Sequence, residues 1–258
     1  MHFLVILILY AVYAKTQPIA NDSGNVELLG GGYEGDLILN LEQMQLLKQS
    51  HPVDWKSRNG HSDMRYRWPN KTVYYNISTK FLPIEISQIR RAMRHIEIHT
   101  CIRFEAAAPN MEAFVLISHS LMGCNSEVGY QGRVQHIRLM RSLAGVSCFR
   151  FGSIVHELLH TLGFYHQQST PDRDQYVRIN YENILHGSEH NFQKYAEGFV
   201  SDFGISYDYA SIMHYGPYAF SWNGRPTIER LHSKSTAIGQ RFGLSAKDIQ
   251  KIKKMYSC

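Results

Sequence analysis

Residues 156–166 read His156-Glu157-Leu158-Leu159-His160-Thr161-Leu162-Gly163-Phe164-Tyr165-His166, and no other stretch of this chain restricts its fold as much. At about 3.6 residues per turn, His156 and His160 lie one above the other on one helix face, where two imidazoles converge on a single point. Glu157 points to the side of that pair, where it can hold a water without itself becoming a ligand. Gly163 can end the helix, since a residue without a β-carbon takes left-handed backbone angles at little cost. The chain then turns back and brings His166 to the same point. Three neutral imidazoles fill three corners of a tetrahedron and leave the fourth for water, the pattern of a catalytic rather than a structural zinc site. The plain alternative is an amphipathic core helix with incidental histidines, which Ile154, Val155, Leu158, Leu159 and Leu162 would serve. A core helix needs neither the glycine turn nor the third histidine.

The rest of the composition is that of an ordinary globular chain, 258 residues long with a net charge of +5. The basic excess is diffuse, which gives no concentrated footprint for nucleic acid. Residues 3–12 are an apolar run too short to span a bilayer, and Val12 and Ala14 suit cleavage after Ala14. Residues 1–14 therefore read as a signal peptide, with a buried first strand as the alternative. Cys101, Cys124, Cys148 and Cys258 form an even set with no Cys-x-x-Cys pair. Disulfides in an oxidising compartment are expected, and spacing leaves all three pairings open. The tripeptides beginning at Asn21, Asn70 and Asn76 are glycosylation acceptors in such a compartment.

Residues 15–58 are polar and interrupted, with Gly30-Gly31-Gly32 and a short helical pattern at 39–47. They hold too little apolar surface for a core, so the segment is expected to fold only against the rest. Within it, Tyr33-Glu34-Gly35-Asp36 reads on its own as a Gly-rich turn with a solvated Asp36. The globular domain begins at Trp68. Residues 72–78 predict a strand, and 84–99 a helix with Ile89, Ala92, Met93 and Ile96 on one face. Residues 102–105 and 114–118 are further strands, and 123–132 a loop or sheet edge. Beyond His166, Pro171 breaks regular structure and 181–196 fits a helix. Residues 245–256 predict the last helix, capped by Ser245, with Asp248 at its third position. No long linker or internal repeat is present, so one catalytic unit of about two lobes is expected. His95 with His99, and His186 with His190, repeat the four-residue spacing without the glutamate, the turn or the third ligand. They read as surface histidines.

Together these residues resemble the astacin family of secreted zinc metalloendopeptidases, within the metzincins, over residues 33–258. Besides the histidine motif, Ser211-Ile212-Met213-His214-Tyr215 is similar to that family's Met-turn. Gly163-Phe164-Tyr165-His166, Asp172-Arg173-Asp174, and Gly239-Gln240-Arg241 followed by Leu244-Ser245 are also similar to family sequences. The resemblance implies an α+β fold, with an N-terminal lobe of mixed sheet and two long helices above an irregular C-terminal lobe that ends in a helix. Zinc would lie in the cleft between them.

The same resemblance implies His156, His160 and His166 as zinc ligands, Glu157 as general base and Met213 packed beneath the imidazoles. Tyr215 would be a side ligand able to swing away and donate to an oxyanion. Cys101 would pair with Cys258 and Cys124 with Cys148. Tyr33-Glu34-Gly35-Asp36 looks like the family's propeptide motif, which reverses the reading of Asp36: its carboxylate would fill the open zinc position of a latent precursor. Residues 15–58 then form a propeptide and 59–258 the peptidase domain, and an activating protease cutting after Arg58 would free Asn59. Arg241 is implied as a basic residue in the pocket after the scissile bond, against the alternative of a solvated surface arginine. Protein or peptide substrates are implied, with neither nucleic acid nor membrane as partner.

One residue departs from the family pattern. The position after the third histidine is typically Glu, which meets the mature N-terminus; here it is Gln167. An amide accepts a hydrogen bond but carries no charge, so an accurate N-terminus is expected to matter less. Two rivals stand beside this reading. Another metzincin family would lack both the tyrosine two positions after the Met and the Gly-Asp motif. A secreted, inactive binding protein on the same scaffold is compatible with the fold, yet no base or ligand is missing.

Overall fold

The computed structural model describes residues 26–48, 59–141, 147–196, 198–231 and 235–258. The expected signal peptide, the Asn21 acceptor and the Arg58 processing site lie outside them.

In the N-terminal half, apolar residues at alternate positions build a sheet. Its strands are β1 (Leu37–Ile38), β3 (Thr72–Ile77), β4 (Arg103–Ala106), β5 (Val115–Ser120), β6 (Cys124–Glu127) and β7 (Gln135–Met140), while β2 (Gly60–His61) lies outside it. The strand order is β1-β6-β7-β5-β3-β4, with every pair parallel except β6 on β7. Val115, Ile117, Ile137 and Leu139 point to one face of the sheet and are buried. Against them pack α2 (Pro83–His99), through the expected Ile89, Ala92, Met93 and Ile96, and α3 (Phe151–Thr161), through Ile154, Val155, Leu158 and Leu159.

β6 corrects the expectation of a loop or edge over 123–132, because β1 pairs beyond it, Leu37 with Ser126 and Ile38 with Glu127. β7 was not foreseen. Its alternate positions carry His136 and Arg138, which dilute the apolar signal, although Ile137 and Leu139 on the opposite face are fully enclosed.

Residues 26–48 have no core of their own, as expected. Leu37 is buried among Val128, Tyr165, Tyr195 and Phe199. α1 (Leu41–Lys48) starts at a reciprocal cap in which Gln43 N donates to Asn40 Oδ1 at 2.8 Å and Asn40 N to Gln43 Oε1 at 3.0 Å. Gln43 Nε2 then donates to Val128 O, so the cap also fastens the segment to the domain.

The C-terminal half is irregular. β8 (Val177–Ile179) pairs with β10 (Ile228–Arg230), and β9 (Val200–Ser201) pairs with β2. The helix expected over 181–196 does not form. Two short 3-10 turns, Tyr181–Asn183 and Glu189–Phe192, stand in its place, with Gly187 at φ 89° between them. A glycine at positive φ interrupts the helix, and Asn183 turns its amide to Pro226 O instead.

α4 (Ala246–Met255) begins at the expected cap, with Asp248 N donating to Ser245 Oγ and Ser245 N to Asp248 Oδ2. Cys101 is bonded to Cys258 and Cys124 to Cys148, the pairing implied by the resemblance. Asn70 and Asn76 are exposed. Among the described residues no helix is long and apolar enough to cross a membrane.

Candidate metal centre

α3 carries the first two histidines and is enclosed along almost its whole length, from Gly152 to Thr161. Its end is a paired-bond turn: Gly163 N donates to His160 O at 2.8 Å and Phe164 N to Leu159 O at 3.0 Å. Gly163 takes φ 99°, which a residue with a β-carbon seldom adopts. The turn aims Phe164 O back at the helix, where it accepts from His160 Nδ1 at 2.7 Å.

His156, His160 and His166 meet at one point. His156 Nε2 lies 3.0 Å from His160 Nε2 and 3.2 Å from His166 Nε2. Each Nδ1 faces an acceptor: Ile212 O for His156 at 2.8 Å, Phe164 O for His160, and Glu34 Oε2 for His166 at 2.7 Å. A proton on each Nδ1 satisfies all three acceptors and leaves three bare Nε2 lone pairs facing one another. Asp36 adds oxygens at 3.1 Å from His156 Nε2, 3.5 Å from His160 Nε2 and 3.3 Å from His166 Nε2. These four donors, all within 4.8 Å of one another and all buried, repel unless a cation lies between them. Three imidazole nitrogens and one carboxylate oxygen suit zinc.

Asp36 is fully buried, which overturns its reading as a solvated turn residue. Gly35 makes the approach possible: it takes φ 88°, and a β-carbon there would sit 2.9 Å from Leu28 Cα. Glu34, on the same turn, does more than the sequence indicated. Its carboxylate accepts from both His166 Nδ1 and the Tyr195 hydroxyl, and its carbonyl accepts from the Tyr215 hydroxyl at 2.5 Å. The Tyr215 ring lies 4.8 Å from that of His166.

Glu157 is fully buried, and neither carboxylate oxygen has a hydrogen-bond partner among the described residues. Burial, and after it the negative charge of Asp36, pushes its carboxyl well above the usual range. Met213 is fully buried in the same apolar cluster as Leu158 and Leu159. The Met-turn is held from α4, where Asp248 accepts from Ser211 Oγ at 2.6 Å and from Ile212 N at 2.9 Å. Asp248 was legible only as a helix cap; its second task depends on a contact that no local pattern signals.

Arg241 is not a solvated surface residue. Its side chain is 5% exposed and pairs with Glu27, which is 2% exposed. Nothing in the local sequence marks Glu27 for this contact. The other histidine pairs stay apart from the centre. His186 and His190 are exposed as expected. His95 and His99 are half-buried instead, and His95 Nε2 accepts from Leu244 N at 3.2 Å.

Comparison with known proteins agrees with this geometry. The family model for Astacin, a peptidase family, matches residues 60–257. Seminal metalloprotease 1 of Drosophila melanogaster is 41% identical over 236 residues, covering 90% of this chain and 89% of its own. Zinc metalloproteinase nas-4 of Caenorhabditis elegans is 36% identical over 230 residues, covering 89% of this chain and 70% of its own. Among solved structures, High choriolytic enzyme 1, a hatching enzyme zinc-protease from Oryzias latipes, superposes with a TM-score of 0.68 at 39% identity. That match covers 74% of this chain and 93% of the other. Myroilysin, at 18% identity and a TM-score of 0.56, shares the fold. The chain belongs to the astacin family of metallopeptidases and is a zinc metalloendopeptidase.

Proposed function

We propose that this enzyme is secreted as a latent precursor, with residues 1–14 a signal peptide, 15–58 a propeptide and 59–258 the catalytic domain. The observation that carries the reading is the approach of Asp36, from outside the catalytic domain, to within 3.1–3.5 Å of all three Nε2 atoms. The apolar leader, the two disulfides and the exposed acceptors Asn70 and Asn76 support secretion.

In the active enzyme His156, His160 and His166 would hold zinc; the Nδ1 bonds of His156 to Ile212 O and of His160 to Phe164 O orient those two rings, while the Glu34 partner of His166 leaves with the propeptide. When bound, zinc acts as a Lewis acid and supplies an activated water nucleophile. Glu157 takes a proton from the attacking water and passes it to the leaving amine. Its lack of hydrogen-bond partners suits a group that must accept a proton and give it up. Tyr215, freed from Glu34 O when the propeptide leaves, donates its hydroxyl to the developing oxyanion. Met213 packs beneath the histidines. Arg241, freed from Glu27, lines the pocket for the residue that follows the scissile bond. Proteins or peptides are the substrates.

The test is cleavage of casein or a reporter peptide by the processed protein, with and without a chelator, alongside its zinc content. Zinc-dependent cleavage, lost on chelation and restored by zinc, is expected. A processed protein that retains zinc yet cleaves nothing would favour the inactive binding scaffold.

A further inference from the structure

Lys251 projects from α4 and its side chain is fully buried. A lysine ammonium is seldom taken out of water unless hydrogen bonds hold it. Lys251 Nζ donates to Asn59 Oδ1 at 2.9 Å and to Gln167 Oε1 at 2.5 Å. Both acceptors are fully buried as well. Asn59 is also fastened to the loop that carries His166, and Gln167, which lies on that loop, is tied to Met213. Tyr165 N donates to Asn59 O at 2.7 Å, Asn59 Nδ2 to Tyr165 O at 3.1 Å, and Gln167 N to Met213 O at 2.9 Å.

Other residues near the end of the chain act on the same loop. Tyr256 OH donates to Leu162 O at 2.9 Å, and the Met255 methyl closes on Gly163. Lys251 differs from them in reaching across to Asn59.

We propose that Lys251 is a positioning residue, the internal cation that holds Asn59 against Gln167 and so fastens the start of the catalytic chain to the third-histidine loop. The terminal ammonium created by processing does not perform this task. The proposal rests on the reading that His166 is a ligand and that processing frees Asn59.

The chemistry favours the side chain over the terminus. A new ammonium on Asn59 would stand only a few bonds from the amide that Lys251 already holds. Two ammonium groups so close repel where water is scarce; the neutral Gln167 adds no charge to offset the second, and the buried Asp248 carboxylate, whose charge reaches Lys251, already accepts from Ser211, Ile212 and Ser245. The terminus is therefore driven away from Gln167, and what precedes Asn59 matters little to the loop.

The test compares two processed forms, one beginning at Asn59 and one with two extra residues before it, each with Lys251 and with Lys251→Met. Zinc affinity by chelator competition, kcat and KM are measured for all four. In the unmutated protein the extension should change zinc affinity and kcat by less than about tenfold. Lys251→Met should weaken zinc binding by about tenfold to a hundredfold and lower kcat with KM little changed. It should also make the extended form worse than the trimmed one, because the terminal ammonium then becomes the cation that can reach Gln167. Lys251→Arg should restore indifference to the extension.

A loss of a hundredfold or more on extending the unmutated protein overturns the proposal. So does a Lys251→Met effect of the same size in both forms, which marks a packing role. Where Lys251→Met does not fold, Lys251→Gln replaces it; sensitivity to the extension supports the proposal and continued indifference refutes it. If the unmutated protein binds no zinc, the metal reading fails on its own. The anchor is then judged from melting temperatures, in which extension and substitution should show the same dependence on one another.

Discussion

Glu27 and Arg241 stand 214 residues apart in the chain and form an enclosed ion pair, with Arg241 Nε donating to both Glu27 oxygens at 2.9 and 3.0 Å. The segment before Asn59 thus brings two carboxylates to the site, Asp36 at the metal centre and Glu27 at Arg241. Removing one partner of a buried pair leaves the other charge uncompensated, a cost of about 3–5 kcal/mol. Glu27→Ala should therefore loosen the propeptide, which limited proteolysis of residues 26–48 in the precursor would register as faster cutting. Cutting at the unmutated rate would show that the pair adds nothing to latency.

The same pair should make the hold sensitive to acid. Burial alone would raise the Glu27 carboxyl, but the Arg241 charge and its hydrogen bonds outweigh burial and keep it below its ordinary value of 4.5. A carboxyl depressed in the folded state contributes stability that is present above its unfolded pKa and lost as pH falls through the folded one. Protection of residues 26–48 should accordingly fall as pH drops below 4.5. Glu27→Gln should flatten the part of that profile due to this pair. Proteolysis or hydrogen exchange followed from about pH 6 down to about pH 3 measures it, and identical profiles for the two proteins would contradict the assignment.

On the proposed reading, removal of residues 15–58 takes Glu27 away and opens Arg241 to substrate. A preference for Asp or Glu just after the cleaved bond is expected, and Arg241→Ala should reduce it by roughly tenfold to a hundredfold, the range for hydrogen bonds to a charged group. Profiling cleavage sites in a peptide library with both enzymes gives the answer. An unchanged preference would remove Arg241 from the substrate pocket.

Asp36→Ala should give the uncleaved precursor measurable activity, because the carboxylate beside the three Nε2 atoms is gone. Glu27, Glu34 and the β1–β6 pairing still hold the segment, so activity should stay below that of the processed enzyme. Combining the substitution with Glu27→Gln should release more. A doubly substituted precursor that stays fully inert would contradict latency through these two carboxylates.

What could be read from the sequence depended on how far apart the interacting residues are. His156, His160 and the Gly163 turn lie within a few helical turns of each other, so spacing alone placed them. Ile89, Ala92, Met93 and Ile96 were legible for the same reason, as one face of a helix. Met213, Tyr215, Asp36 and both disulfides came only through resemblance, because each depends on contacts across long stretches of chain. Glu34 was legible only as part of the Tyr33–Asp36 motif, without its contacts, and nothing in the sequence marked Glu27 or Lys251. An acidic or basic residue that will be buried against a distant partner looks, in sequence, like one that faces water. The helix wrongly expected over 181–196 is the opposite case, a periodic pattern overruled by Gly187 and by the side-chain hydrogen bonds of Asn183.

The central claim is that zinc at the three histidines and the Glu157 carboxylate together cleave peptide bonds. Its most direct test is the processed Glu157→Ala protein, in which bound zinc and peptide turnover are measured on one sample. The account predicts zinc content equal to the unmutated enzyme, since no ligand is touched, and turnover lower by about 10²–10⁴-fold, the usual contribution of a general base. Near-normal turnover with Ala at position 157 would contradict it.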